Sequence, residues 1–157
     1  MKAASVAQLK KELRHQSKDE LLELCLRLSK FKKENKELLT YLIYEADNEA
    51  GYIESVKTEV DVQFGMINTS SYFYIKKSVR KILRMVKKYI RYSKNKETEV
   101  ELLLHFCKTL KEMKPSMHRN VSLQNIFNRQ ILLIRKGIAT LHEDLQYDYE
   151  LELDEFL

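Results

Sequence analysis

One proline, Pro115, and three glycines punctuate the whole of this 157-residue chain. Hairpins, sandwiches and barrels need those two residues wherever the backbone reverses, because glycine supplies positive φ and proline fixes φ in advance. Ordinary usage is about 7% glycine and about 5% proline. Their scarcity removes most β architectures. It leaves helices, whose ends can be capped by Ser, Asn and Asp instead. Leu, Lys and Glu are the commonest residues, and all three favour helix.

Start and stop signals divide the chain into about seven helices in successive αα-hairpins, an all-α fold of bundle or short right-handed solenoid type. Ser5 with Gln8, and Ser17 with Glu20, have the spacing of capping boxes. The first helix carries Val6, Leu9 and Leu13 on one stripe, and the second carries Leu21, Leu24, Cys25 and Leu28. A third helix is expected over about 33–47 and a fourth to about Phe64, with a turn or kink around Asp47–Gly51. The fifth covers about 71–93. The sixth, about 97–113, has acids in its first turn and lysines in its last, which suits the helix dipole. Ser122 is expected to start a last long helix reaching about Gln146. Its Phe127, Ile131, Ile134, Ile138, Leu141 and Leu145 form a seam suited to a neighbouring helix or to self-association. From Tyr147 onward apolar and acidic residues alternate. Residues 147–157 therefore read as an extended acidic arm, or a frayed helix end, carrying Asp148, Glu150, Glu152 and Asp154.

The length fits one domain spanning 1–157. Apolar residues at 44% and charged residues at 32% suit a globular chain. No apolar run approaches the ~20 residues needed to cross a bilayer, and the first residues lack an apolar core of signal-peptide length. Cys25 and Cys107 both fall within apolar helical patterns, and are expected to be buried, reduced thiols of a cytoplasmic protein.

The net charge of +5 conceals separated blocks. Residues 62–96 hold ten cations and no anion, whereas 143–157 hold seven anions and no cation. Advancing 100° per residue, Lys76, Lys77, Arg80, Lys81, Arg84, Lys87, Lys88 and Arg91 fall within about 140° of arc. Ile75, Val79, Ile82, Leu83, Val86, Tyr89 and Ile90 occupy the opposite side. The plain reading of the strip is a solvated helix face. Its functional readings are an acidic protein surface (the chain's own acidic end included), the phosphates of a nucleic acid, or an anionic membrane. The apolar side looks like core and lacks Trp, which disfavours the membrane. Tyr72, Phe73 and Tyr74 precede the strip and are expected to pack in the core, with base stacking as the alternative.

Catalytic and metal motifs are sparse. His15, His105, His118 and His142 never stand four apart on a helix. Glu12 and His15 make one Glu-x-x-His spacing, with no second copy. His105 and Cys107, two apart, point in different directions, so a zinc site from Cys25, Cys107 and two histidines would need a coincidence of folding. Glu45, Asp47 and Glu49 offer weak cation ligands, and His142, Glu143 and Asp144 read as solvated surface. There is no glycine-rich phosphate loop and no Gly-x-Ser-x-Gly elbow. The pattern calls for no metal and no cofactor.

The stretches LKKELRHQSKDELLELCLRL (9–28), KENKELLTYLIY (33–44) and SVRKILRMVKKY (78–89) together resemble a family of small uncharacterised bacterial all-helical proteins. The resemblance covers the first two-thirds of the chain. It implies a bacterial cytoplasmic protein with a helical-repeat-like fold, and it carries no catalytic residue across. The chain departs from that pattern at 47–51, which lacks a proline.

The expected function is a non-enzymatic interaction module that binds an acidic partner surface through the basic amphipathic helix. The partner would be another protein or a second copy, with no membrane involved. A nucleic-acid-binding protein using the same strip is the alternative, and an enzyme has least support.

Overall fold

Six of the eight α-helices begin where a side-chain acceptor stands ready for an orphan N–H group. The computed structural model describes residues 1–157 and contains eight α-helices and no strand. The all-α expectation holds. No helix is long and apolar enough to cross a membrane. The chain divides into two compact units, Met1–Tyr44 and Glu45–Leu157, where the sequence had suggested one domain.

The first unit holds α1 (Val6–Leu13), α2 (Lys18–Phe31) and α3 (Lys33–Thr40), and α3 runs on into a π-helical turn beginning at Tyr41. Both expected capping boxes form. Gln8 N–H donates to Ser5 Oγ at 3.3 Å while Ser5 N–H donates to Gln8 Oε1 at 2.9 Å. Ser17 and Glu20 repeat the exchange at 3.2 and 3.4 Å. α2 and α3 pack on one another, and Asn35 Nδ2 donates to Leu28 O at 2.8 Å across the junction. Only Ser29 and Tyr41 are buried in these 44 residues. Cys25 is exposed, contrary to expectation. Its side of α2 is apolar, but this unit brings no third helix to cover it.

The second unit holds α4 (Glu49–Gly65), α5 (Tyr72–Ser93), α6 (Lys96–Glu112), a 3₁₀ turn (Met117–Arg119), α7 (Val121–Ile138) and α8 (Glu143–Phe156). It is a bundle around α6, which packs against α4, α5 and α7. Val100, Leu102, Leu103, Leu104, Phe106, Cys107 and Leu110 of α6 are all buried, as a hub helix requires. Gly137 of α7 lies against Val100 so closely that an added Cβ would stand 2.8 Å from Val100 Cγ2. A side chain there would push α6 and α7 apart.

Two boundaries differ from the sequence reading. Asn120, not Ser122, caps α7, its Oδ1 accepting from Leu123 N–H at 3.1 Å. The expected long last helix is two helices. The break at 139–142 is stabilised locally: Gln146 Nε2 donates to the Ala139 and Leu141 carbonyls, and His142 Nδ1 accepts from Asp144 N–H to start α8. The acidic end is therefore α8, not an extended arm. Its alternation conceals a four-residue repeat that brings Tyr149 and Leu153 to the buried side. No strand exists for an extended segment to pair with. The α7 seam is consumed within the chain, since Phe127, Ile131, Ile134 and Ile138 are buried.

Candidate functional site

α5 is set down firmly on one side. Ile75, Val79, Ile82, Val86 and Tyr92 are each 9% exposed or less. Polar ties add to this packing. Tyr72 Oη donates to Ser116 O at 2.8 Å and holds the start of α5. Tyr52 Oη of α4 donates to Tyr89 O at 2.8 Å, and Tyr89 Oη donates to Glu59 at 3.0 Å. At the far end, Lys94 adopts a left-handed conformation (φ 58°), and its N–H donates to Ile90 O to stop the helix. Glu49 accepts from Ser93 Oγ and from Thr98 Oγ1, so this carboxylate, read from sequence as a weak cation ligand, ties the ends of three helices together.

The outward side carries the predicted cations. Lys77, Arg80, Lys81, Arg84 and Arg91 are exposed, and Lys76, Lys87 and Lys88 half-buried. Lys88 is engaged, with its ammonium 5.1 Å from the Tyr89 ring centroid. The other seven form no ion pair with any carboxylate of the chain. From Lys76 to Arg91 the axial rise is about 22 Å, with cations recurring roughly every turn.

The acidic end does not cover this face. Glu152 pairs with Lys108 of α6 at 2.6 Å, while Asp148, Glu150 and Asp154 are exposed. Lys111 of α6 donates to the Phe156 and Leu157 carbonyls and fastens the end of α8.

The aromatic cluster also differs from expectation. Phe73 is 67% and Tyr74 47% exposed, their rings 5.3 Å apart and edge-to-face, and only Tyr72 of the three turns inward. Consecutive helical residues point 100° apart, so three in a row cannot share a core face. At that spacing Phe73 points the same way as Arg80 and Arg91, and the ring pair extends the cationic face at its N-terminal end.

A second cluster escaped the sequence reading. A cleft of about 380 Å³ beside α6 is lined by residues that include Lys57, Glu101, His105, Lys108, Tyr149 and Glu152. They come from three helices far apart in the chain, so no local spacing announced them. Lys57 Nζ donates to Glu101 at 3.0 Å and to Glu54 at 3.2 Å, and His105 Nε2 lies 2.6 Å from Asp61. Tyr149 Oη is 2.8 Å from Glu97 and 3.0 Å from Glu101. Burial lowers the Lys57 ammonium, but its hydrogen bonds to Glu101 and Glu54 outweigh that and leave it raised. Burial, with the two neighbouring carboxylates, holds the Tyr149 phenol protonated far above its usual range. Lys57, Lys108 and His105 each already have an acid partner, so the network fastens α4 and α8 to α6. Cys107 turns away from it into the core, where burial pushes its thiol up to about 12. His105 and Cys107 do not converge, as their spacing indicated. No group of three or more His, Cys, Asp or Glu is placed to hold a metal ion.

No family model, curated protein or solved structure matches the chain.

Proposed function

We propose that this protein is a non-enzymatic helical interaction module that binds an acidic partner surface along α5. One observation carries the reading. Seven cations with no internal counter-charge project from a helix whose opposite side is locked into the core. A solvated face needs no such concentration of one sign, which repels itself at a spacing well inside the ~8 Å screening length of physiological salt. An acidic partner relieves that repulsion. Each exposed pair contributes only about 0.2–1 kcal/mol, so useful affinity requires several contacts made together on a pre-formed surface.

The test is binding of a fluorescent poly-glutamate peptide by the intact chain, compared with a variant carrying Arg80→Glu, Arg84→Glu, Lys87→Glu and Arg91→Glu. The wild type should bind and weaken as salt rises, and the variant should not bind. Equal affinity for both proteins would end the proposal.

The exposed Phe73–Tyr74 pair favours nucleic acid as a second reading, because rings beside a cationic track provide stacking platforms for unpaired bases. Labelled single-stranded RNA decides between the two. Under this reading Phe73→Ala with Tyr74→Ala weakens RNA binding about tenfold or more, at about 1–3 kcal/mol per stacked base, and leaves poly-glutamate binding unchanged. The absence of any RNA or DNA shift at low salt would remove it.

A further inference from the structure

We propose that the acidic surface met by α5 is α8 of a second copy of this chain; the inference rests on the reading of α5 given above and names its partner. Advancing 100° per residue along α8, Glu143, Asp148, Glu150, Asp154 and Glu155 fall within about 160° of arc, and all five are exposed. Tyr149 and Leu153 occupy the opposite side, where they enter the core. None of the five carboxylates forms an ion pair within the chain. Asp144 shares the arc and lies 3.6 Å from His142.

Three properties match the two faces. The first is extent. Glu143 to Glu155 rises about 18 Å, against about 22 Å for the cations of α5. Two helices crossing at about 20° stay side by side over such a distance. The second is the arrangement across each face. The midline of α8 carries Tyr147, 65% exposed, and Leu151, 48% exposed, with carboxylates on both flanks. The midline of α5 carries Arg80, Arg84 and Arg91, with Lys76 and Lys87 on one flank and Lys77 and Lys81 on the other. Guanidinium groups stack on a tyrosine ring and grip carboxylates through their planar fork, so arginine is the cation suited to such a midline. The third is separation within the chain. α5 packs on α4 and α6, whereas α8 packs on α7 and is fastened to α6 through Lys108 and Lys111. The two faces therefore stay unneutralised in one copy. Each copy offers one face of each sign, so the contact can repeat from copy to copy.

The experiment uses the full chain. Exposed ion pairs are individually weak and are screened by salt, so association should appear at high chain concentration and low ionic strength. Sedimentation equilibrium of the wild type should give an average mass that rises with concentration above that of one chain. It should return to the single-chain value in about 0.5 M salt. The sign of that salt effect is informative. Copies repel one another through their net charge of +5, and salt screens this repulsion, so an apolar contact would strengthen as salt rises. Association that strengthens with salt would refute the pairing of α5 with α8. Two variants then separate the faces. One carries Arg80→Gln, Arg84→Gln, Lys87→Gln and Arg91→Gln. The other carries Asp148→Asn, Glu150→Gln, Asp154→Asn and Glu155→Gln. Each alone should stay at the single-chain mass. An equimolar mixture should form pairs, because the first variant keeps α8 and the second keeps α5. Both remain net positive, so total charge does not draw them together. A mixture that stays monomeric, or an α8 variant that associates as the wild type does, overturns the proposal. Poly-glutamate binding keeps this failure apart from failure of the reading beneath it. A wild type that binds poly-glutamate but never exceeds the single-chain mass leaves α5 with a foreign acidic partner and ends the inference. A wild type that does neither ends both.

Discussion

The two units of this protein are made of similar material and use it in opposite ways. Residues 45–157 hold twenty-five of the twenty-six buried hydrophobic residues, while the first 44 hold one. The first 44 nevertheless carry fourteen of the twenty-three large apolar residues that are exposed. Both units have amphipathic helices and well-formed caps. The difference lies in the number of faces available. In the second unit α6 has neighbours on several sides, so each apolar stripe meets another. In the first, α2 packs chiefly on α3, and a helix with a wide apolar arc cannot be covered by one short partner. Periodicity shows which side of a helix is apolar. It does not show whether the chain brings anything to lie against that side.

The contrast can be broken by substitution, and the largest effect belongs to the hub. Phe106→Ala should destabilise the second unit by about 3–5 kcal/mol, because the ring is fully buried and contacts Phe64 with centroids 5.7 Å apart. Urea unfolding followed by circular dichroism measures it, and a loss below about 1 kcal/mol would mean that α6 is not the centre of the core. Alkaline pH should act on the same unit. Below pH 9 the Cys107 thiol is protonated whether the chain is folded or unfolded. Between 9.0 and about 12 the unfolded chain releases this proton while the folded chain keeps it, so stability falls as pH rises. The decline attributable to this thiol is on the order of 4 kcal/mol by its upper end. Tyr149 and Lys57, both raised, act in the same direction. Urea midpoints across that range should therefore fall less steeply for Cys107→Ala than for the wild type, though they should not become flat.

A smaller change should carry the opposite sign. Gln130 is 3% exposed; its amide donates to Ile126 O at 3.1 Å, while its carbonyl has no partner. Gln130→Leu removes that orphan and should stabilise the second unit by about 1 kcal/mol, read as a higher melting temperature. The least effect is expected in the first unit. Phe31→Ala, at a residue 77% exposed, should leave unfolding within about 0.5 kcal/mol of wild type when the chain is dilute. A loss as large as that from Phe106 would erase the distinction between the units.

Much of the local structure was legible. Ser5 and Ser17 behave as their side chains dictate, because each cap is satisfied by a residue three positions away. The cationic face was legible for the same reason, since one helix fixes the relative directions of Lys76 to Arg91. Failures came where a distant partner decided the outcome. The acidic end became helical because Tyr149 and Leu153 found a core to enter. Phe73 stayed outside because Ile75 took the inward position. The Lys57–Glu101–Tyr149 network joins residues 44 and 48 positions apart, and nothing in the sequence near any of them marks the others.

α5 is gripped from Ile75 to Tyr92, and that has a mechanical consequence. A helix anchored over most of its length behaves as a straightedge. Any molecule lying along it must supply the flexing itself. A limp polymer can settle against all the charges in turn, whereas a stiff convex body would meet the edge as a tangent and reach only two or three. Discrimination between ligands of equal charge would then follow from their stiffness.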